Sequence, residues 1–105
     1  MAVLYVNEYK QLGREAYGGA GNNIQSPKEP ALAINTVAIG SGSLQSPVFN
    51  DETAIVMVHT DAICSIKFGT DPSASATSFR LPANATQFYC VEPGSKLRVA
   101  VITNT

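Results

Sequence analysis

The stretch that decides the fold reads Thr53-Ala-Ile-Val-Met-Val-His59 and, after a short polar turn, Ile63-Cys-Ser-Ile-Lys-Phe68. In the second segment, apolar residues at positions 64, 66 and 68 alternate with polar residues at 65 and 67, the period of a strand with one buried face. In the first segment both alternating sets are apolar enough for burial, apart from the closing His59. Two such segments joined by a short turn predict neighbouring strands of an antiparallel β-sheet.

The rest of the chain continues this pattern in both directions. Further short strands are predicted at 2–6, 31–39, 44–49, 79–81, 86–91 and 96–102. Polar, Gly and Pro turn signals such as Glu92-Pro93-Gly94-Ser95 separate them. Val and Ile together number 16 against 6 Leu, which favours strands over helices. Short strands at spacings of about 8–12 residues predict an all-β fold, an antiparallel β-sandwich or jelly-roll-like domain.

The first thirty residues have a different character. Residues 7–17 show no clean period, and Gly18-Gly19-Ala20-Gly21 is followed by two asparagines, a composition typical of a flexible turn. Pro27 and Pro30 then exclude a regular helix. We therefore predict an extended N-terminal arm and loop-rich edge over residues 1–30, followed by a sandwich domain over residues 31–105.

Composition excludes several function classes. A chain of 105 residues and 11.1 kDa predicts one small domain. Its formal charge of −1 lacks the electrostatic footprint of a protein that binds nucleic acid or an anionic membrane. With 45% hydrophobic and 14% charged residues, the chain is not of the disordered type. No apolar run is long enough to span a bilayer and no signal-peptide pattern is present, which predicts a protein made in a reducing cytosol.

The residues that carry chemistry do not form a catalytic pattern. His59 is the only histidine, too few for a cupin-type metal site. A nucleophile pair between His59 and Cys64 or Cys90 needs an activated thiolate, yet both cysteines and Phe88 lie on strand faces that we expect to look inward. The acidic residues fall in predicted turns. The sequence therefore predicts a protein that is not an enzyme, with no catalytic, cofactor-binding or metal-binding residues.

The second half of the chain carries a resemblance to a known class of proteins. A strand ending in Gly69-Thr-Asp-Pro72 leads through a Ser/Ala/Thr loop to Arg80-Leu-Pro-Ala83, then to the aromatic strand Phe88-Tyr-Cys-Val91, a Pro-Gly turn and the closing Lys96-Leu-Arg-Val-Ala-Val-Ile102. Over residues 53–105 this resembles the small β-sandwich structural proteins of tailed bacteriophages. The resemblance implies a virion structural protein, most plausibly a capsid decoration (cement) protein.

That resemblance also implies partners and a location. We expect such a protein to bind the major capsid protein at joints between subunits on the capsid surface, to self-associate as a dimer or trimer, and to need no cofactor. It would be made in the host cytoplasm and bind neither nucleic acid nor membrane. Interface residues are expected in segments that cannot all reach one small core: Tyr5, Tyr9, Leu12, Arg14 and Tyr17 on the arm, and Phe79, Arg80 and Tyr89 near strand-end loops.

Other functions remain open from the residues alone. A tail or head-completion component of a phage has the same sequence signature. A small carbohydrate- or receptor-binding module would need an exposed aromatic platform, and the chain has four Tyr, four Phe and no Trp. A small hydrolase or isomerase is the least supported, because the single histidine has no partner cluster.

Overall fold

The computed structural model describes residues 2–14 and 23–105, and this part of the chain is all β. The strands are β1 (Val3–Tyr9), β2 (Leu12–Arg14), β3 (Asn23–Pro27), β4 (Ala33–Ala38), β5 (Leu44–Gln45), β6 (Ile55–Thr60), β7 (Cys64–Gly69), β8 (Phe79–Leu81), β9 (Thr86–Cys90) and β10 (Arg98–Thr103). Every described pairing is antiparallel. These ranges contain no helix long and apolar enough to cross a membrane. The predicted antiparallel β-sandwich is confirmed.

Two four-stranded sheets form the sandwich. The first sheet has the order β4-β1-β6-β9 and the second the order β5-β10-β7-β8, while β2 and β3 pair separately. When the strands are followed from β4 through β10 and then to β1, their connectivity is that of a jelly roll. Strand β1, which takes the place of the last jelly-roll strand, is the first strand in this chain. The start of β1 and the end of β10 lie close together, because both bond to neighbouring residues: Ile39 N–H donates to Ala2 O, and Thr103 N–H donates to Gly40 O.

The N-terminal segment differs from the predicted arm. Strand β1 lies inside the first sheet between β4 and β6, and Leu4 and Val6 are fully buried. The short apolar run over residues 2–6 indicates a strand, but nothing local reveals that it pairs with β4 and β6, far along the chain. Only the β2–β3 ladder lies outside both four-stranded sheets, and the connection between those two strands falls outside the described residues.

The core lies between the inner faces of the two sheets. Its fully buried apolar side chains come from four strands: Leu4, Val6, Val56, Val58, Cys64, Val99 and Val101. Ile66 and, on a fifth strand, Leu81 are almost as deeply buried. Each fully buried Val, Leu or Ile contributes about 1.5–3 kcal/mol relative to an exposed one. Three rings close the core on one side, since Phe49 lies 6.2 Å and Tyr89 5.0 Å from the ring of Phe68.

One carboxylate is buried at the end of this core. Glu8, on the inner face of β1, is only 1% exposed. Its Oε1 accepts hydrogen bonds from the backbone N–H of Asn50 at 2.7 Å and from Thr53 Oγ1 at 2.8 Å, and its Oε2 accepts one from Asn35 Nδ2 at 3.4 Å. A buried charge is tolerated where such donors satisfy it. Glu8 therefore fastens the turn before β6 to the N-terminal strand.

Candidate interaction surface

The outward face of the second sheet is covered by the protein's own loop over residues 70–78. Three hydrogen bonds hold the loop there: Gln45 Nε2 to Pro72 O at 2.8 Å, Ala74 N–H to Ser43 Oγ at 2.9 Å, and Asn104 Nδ2 to Ala76 O at 3.2 Å. Beneath the loop, Ala100 and Ser65 are fully buried although their side chains point away from the core. The loop therefore covers part of this face, while Lys67 and Arg80 on the same face stay exposed.

The outward face of the first sheet has no such cover over most of its area. Register places Ile34, Asn7, Met57 and Phe88 in one row across the four strands, and Thr36, Tyr5, His59 and Thr86 in the next row. We call these eight residues the open face. Ile34 is 70% exposed, Phe88 53% and Tyr5 43%, which are large values for apolar and aromatic side chains.

The outward positions of these four strands hold no Asp, Glu, Lys or Arg, and the one acidic residue of β1, Glu8, faces the core. The ring of His59 lies 6.1 Å from that of Tyr5, and its Nδ1 shares a hydrogen bond with Thr86 Oγ1 at 2.8 Å. The nearest described ion pair, Lys10 with Glu52 at 2.8 Å, involves residues just beyond the end of the sheet. Apart from His59, the open face therefore holds no acidic or basic side chain, and it combines four apolar or aromatic residues with four polar ones, Asn7, Thr36, His59 and Thr86.

The β2–β3 ladder adjoins one end of the same sheet face. Leu12 and Pro27 from the ladder and Ile55, Phe88 and Cys90 from the sheet border a mainly apolar cleft of about 250 Å³. Phe88 thus belongs both to this cleft and to the open face. The apolar surface runs without interruption from the open face into the cleft.

A second cleft, of about 470 Å³, opens beside the loop over residues 70–78. Its lining combines four hydroxyl side chains and three aromatic rings with one aliphatic and one basic side chain: Ser73, Ser75, Thr77, Ser78, Phe68, Phe79, Tyr89, Ile66 and Lys67. Phe79 and Tyr89 meet edge to face at 6.3 Å. Burial raises the pKa of the Tyr89 phenol, and its buried hydroxyl has no hydrogen-bond partner among the described residues.

The arm residues predicted as an interface occupy different environments. Tyr5 lies on the open face and Leu12 borders the apolar cleft. Tyr9 corrects the expectation: it is 2% exposed and its hydroxyl donates to Glu29 Oε2 at 3.0 Å, so it offers no contact area. Arg14 ends β2, with its side chain outside the described part, and Tyr17 lies outside the described residues altogether.

The three predicted interface residues of the sandwich also separate. Phe79 and Tyr89 share the hydroxyl-bordered cleft. Arg80 is exposed on the outward side of the second sheet, where its Nε donates to Thr105 O at 3.3 Å. The eight predicted residues therefore do not form one continuous surface.

Sequence reasoning missed three main contributors to the open face, namely Ile34, Met57 and Phe88. Phe88 and Cys90 were expected to look inward and instead point out, and the outward side of β6 is only half buried. A period of two shows which side chains share a face but not which face meets the core. The signal that identifies the open face is the lack of charge on the outward set of all four strands.

The two thiols lie in different environments. Cys64 is buried, which raises the pKa of its thiol, and its Sγ lies 3.5 Å from Thr60 Oγ1. Cys90 is exposed, and both cysteines are free thiols. Across residues 2–14 and 23–105, no three His, Cys, Asp or Glu side chains come together as a metal site would require.

No known protein family, curated protein or solved structure matches this chain. Its function is therefore argued from the fold and the surfaces described above.

Proposed function

We propose that this protein is a virion structural protein, a capsid decoration protein that binds at joints between major capsid subunits. The observation that carries the proposal is the open face. Monomeric proteins rarely leave a large continuous apolar patch in water, and such a patch with a polar border marks a protein–protein contact. Here the patch lies on a rigid four-stranded sheet, so little conformational entropy is lost when a partner covers it.

The resemblance over residues 53–105 supplies the class of assembly. Within that segment, Phe88 and Met57 lie side by side in the first row of the open face. A decoration protein needs a stable body and a surface that binds a repeated protein lattice. The two packed sheets would supply the body, and the open face would supply the surface. The proposal assigns no chemistry to His59 or to the thiols.

The test is binding to expanded capsids that lack the protein. We expect the wild type to bind at a fixed number of copies per shell, and Phe88→Lys to bind far more weakly, because a buried charge replaces an apolar contact. Val48→Lys is the matched control, since Val48 is also exposed, at 40%, but lies away from the open face. No saturable binding by the wild type, or equal binding by all three proteins, would refute the proposal.

A second candidate function rests on the other cleft. Its hydroxyl border and exposed aromatic ring are features of a site for a neutral carbohydrate, with Phe79, 59% exposed, as the stacking platform. A glycan array decides this alternative. Binding of one glycan class that is lost in Phe79→Ala and kept in Phe88→Lys would favour a carbohydrate-binding module, and an empty array would exclude it.

A further inference from the structure

We propose that the outer edge of β9 is a site for β-strand addition, where an extended segment of a partner polypeptide pairs antiparallel to β9 as a fifth strand of the first sheet. This edge consists of backbone groups, so it is a different surface from the open face, whose side chains project from the sheet. The inference does not depend on the virion proposal, because it is tested with the purified protein and short peptides.

The hydrogen bonds at the two ends of β9 fix the direction of its backbone groups. Val91 N–H donates to Ala54 O, and Thr60 N–H donates to Ala85 O, so residues 85 and 91 both face β6. In an antiparallel ladder, a residue whose N–H and C=O point to one neighbouring strand is followed by one whose groups point the other way. The odd-numbered residues of β9 therefore bond to β6, and the even-numbered residues point to the outer edge.

The outer edge of β9 has no hydrogen-bond partner among the described residues. Its groups belong to Thr86, Phe88 and Cys90, each of which presents an N–H and a C=O and is exposed. Same-side residues of a strand repeat at about 7 Å, and another extended backbone is the structure that matches such a row of donors and acceptors. The chemistry of the edge thus specifies a β-strand as its occupant.

The other edges of the two sheets are less suited to strand addition. The second sheet ends in β5, with two residues, and β8, with three, and short edge strands are one way in which proteins avoid edge-to-edge pairing. Neither β4 nor β9 contains a charged residue or a proline, but they differ in what lies beside them. The start of β4 adjoins a cleft whose lining includes charged residues and a proline: Lys10, Lys28, Glu29 and Pro30.

Beside β9 lies the cleft of about 470 Å³, which offers a place for side chains of the added strand. Phe79 on β8 and Tyr89 on β9 both line it, so the cleft opens between the edge strands of the two sheets. A strand added to β9 continues the first sheet, and every second side chain of that strand then points in the same direction as Tyr89. The aromatic rings of the cleft favour a large apolar residue at that position.

The occupant is therefore an extended segment with a large apolar residue on its cleft-facing side. In this mode of recognition, main-chain hydrogen bonds supply affinity and a pocket for alternate side chains supplies sequence preference. Because an antiparallel partner places paired side chains on the same face, the residues that bond to β9 point their own side chains to the face of Phe88. The cleft-facing residues direct their N–H groups away from β9.

The probes are blocked peptides Thr-Val-Thr-X-Thr-Val-Thr, in which X is Phe, Leu, Ala or Lys, titrated into the purified full chain. We expect the peptides with Phe or Leu to bind about 10-fold more tightly than those with Ala or Lys. Methylation of the threonine nitrogens should abolish binding, whereas methylation of the nitrogen of X should leave it unchanged. Amide hydrogen exchange followed by NMR should show fast exchange at Phe88 and Cys90 and slow exchange at Tyr89 in the free protein, and at least 10-fold slower exchange at Phe88 and Cys90 with peptide bound.

Cys90→Pro tests the same edge from the side of the protein. Proline is tolerated on an edge strand where the N–H faces solvent, and this substitution removes an outer-edge donor without breaking a bond to β6. We expect it to weaken peptide binding by about 10-fold or more. Cys90→Ser, which keeps the N–H, and Thr36→Pro, at an outward N–H of β4, are the controls and should bind as the wild type does. Circular dichroism checks folding, and the methylated peptides test the edge without any change to the protein.

Each outcome supports or overturns the inference. Binding that slows exchange at Phe88 and Cys90 and is lost with the methylated threonines supports it. No binding by any of the four peptides, equal binding by both methylated forms, or slow exchange at Phe88 and Cys90 in the free protein overturns it. A loss of binding in Thr36→Pro with none in Cys90→Pro assigns the site to β4 and overturns it too. Binding of a glycan to the cleft without binding of any peptide overturns it in favour of the carbohydrate site.

Discussion

Replacing Glu8 by alanine should destabilise the protein more than removal of any exposed carboxylate. The Glu8 carboxylate is buried and accepts short hydrogen bonds from Asn50 N–H at 2.7 Å and Thr53 Oγ1 at 2.8 Å. Hydrogen bonds to a charged group contribute about 1.5–3 kcal/mol each, and donors left unpaired in the interior add a penalty. Removing the carboxylate also removes the free-energy cost of burying it, and this gain offsets part of the lost stability.

The net expectation for Glu8→Ala is a loss of about 2–4 kcal/mol, which is a large share of the 5–15 kcal/mol typical of a domain. For a domain of this size, that loss corresponds to a fall in Tm of about 10–20 °C. Glu8→Gln keeps one acceptor oxygen and the side-chain shape, so it should lose about half as much. Urea unfolding followed by circular dichroism measures both variants.

The control for this series is Glu92→Ala, an exposed carboxylate in the turn before β10, which should change stability by less than about 0.5 kcal/mol. A double-mutant cycle with Thr53→Val should reveal coupling of about 1 kcal/mol or more between the two side chains. If Glu8→Ala unfolds within 0.5 kcal/mol of the wild type, the reasoning that the carboxylate fastens the turn to β1 is refuted.

Three further predictions concern the backbone, the thiols and the chain path. Gly94 has φ +77° and open space where a Cβ would lie. Gly94→Ala should therefore lower the free energy of unfolding by about 1–2 kcal/mol through backbone strain alone. The control Gly42→Ala, at an equally open position without a positive φ, should not destabilise the protein. Ellman's reagent should modify Cys90 promptly in the folded protein and Cys64 only after denaturation. Burial shields the Cys64 thiol and raises its pKa. Equal modification rates of the two thiols in buffer would contradict the burial of Cys64 on β7. A circular permutant that joins the two chain ends by a short linker and opens the chain between β2 and β3 should give the circular dichroism spectrum of the wild type. The reason is that the start of β1 and the end of β10 both bond to the segment Ile39-Gly40. An unfolded permutant would count against this arrangement of the strands.

Much of the fold was predictable because period-two alternation is a local property. The segments 79–81 and 86–91 fall on β8 and β9, and the decisive pair 53–59 and 63–68 falls on β6 and β7 within two residues at each end. The turn at Glu92–Ser95 is also where Pro and Gly indicate it. Gly94 has the positive φ that makes glycine favourable there.

The N-terminal strand was not predictable as a central one. Its two neighbours, β4 and β6, lie far along the chain, so only the closed three-dimensional path places it between them. Glu8 illustrates the same limit. A glutamate in a polar stretch indicates solvent exposure, and its burial depends on donors from Asn50 and Thr53, more than forty residues away.

The open face was hidden for a related reason. Ile34 and Phe88 sit in short strands whose alternation is clear, yet alternation leaves undecided which side faces the second sheet. Which side of a strand faces the second sheet depends on all the side chains that fill the core. In β6, Val56 and Val58 are buried there, so Met57 between them points outward. Because the outward positions of all four strands lack charged residues, the sequence contains no charged set of side chains that would mark this face as the one in water.

The measurement that tests the central claim most directly is the number of copies of the purified wild-type protein that bind to an expanded capsid lacking it, with Phe88→Lys and Val48→Lys measured alongside. The account predicts that the wild type and Val48→Lys saturate at the same fixed number of copies per shell, whereas Phe88→Lys binds far more weakly. No saturable binding by the wild type, or equal binding by all three proteins, would contradict binding through the open face.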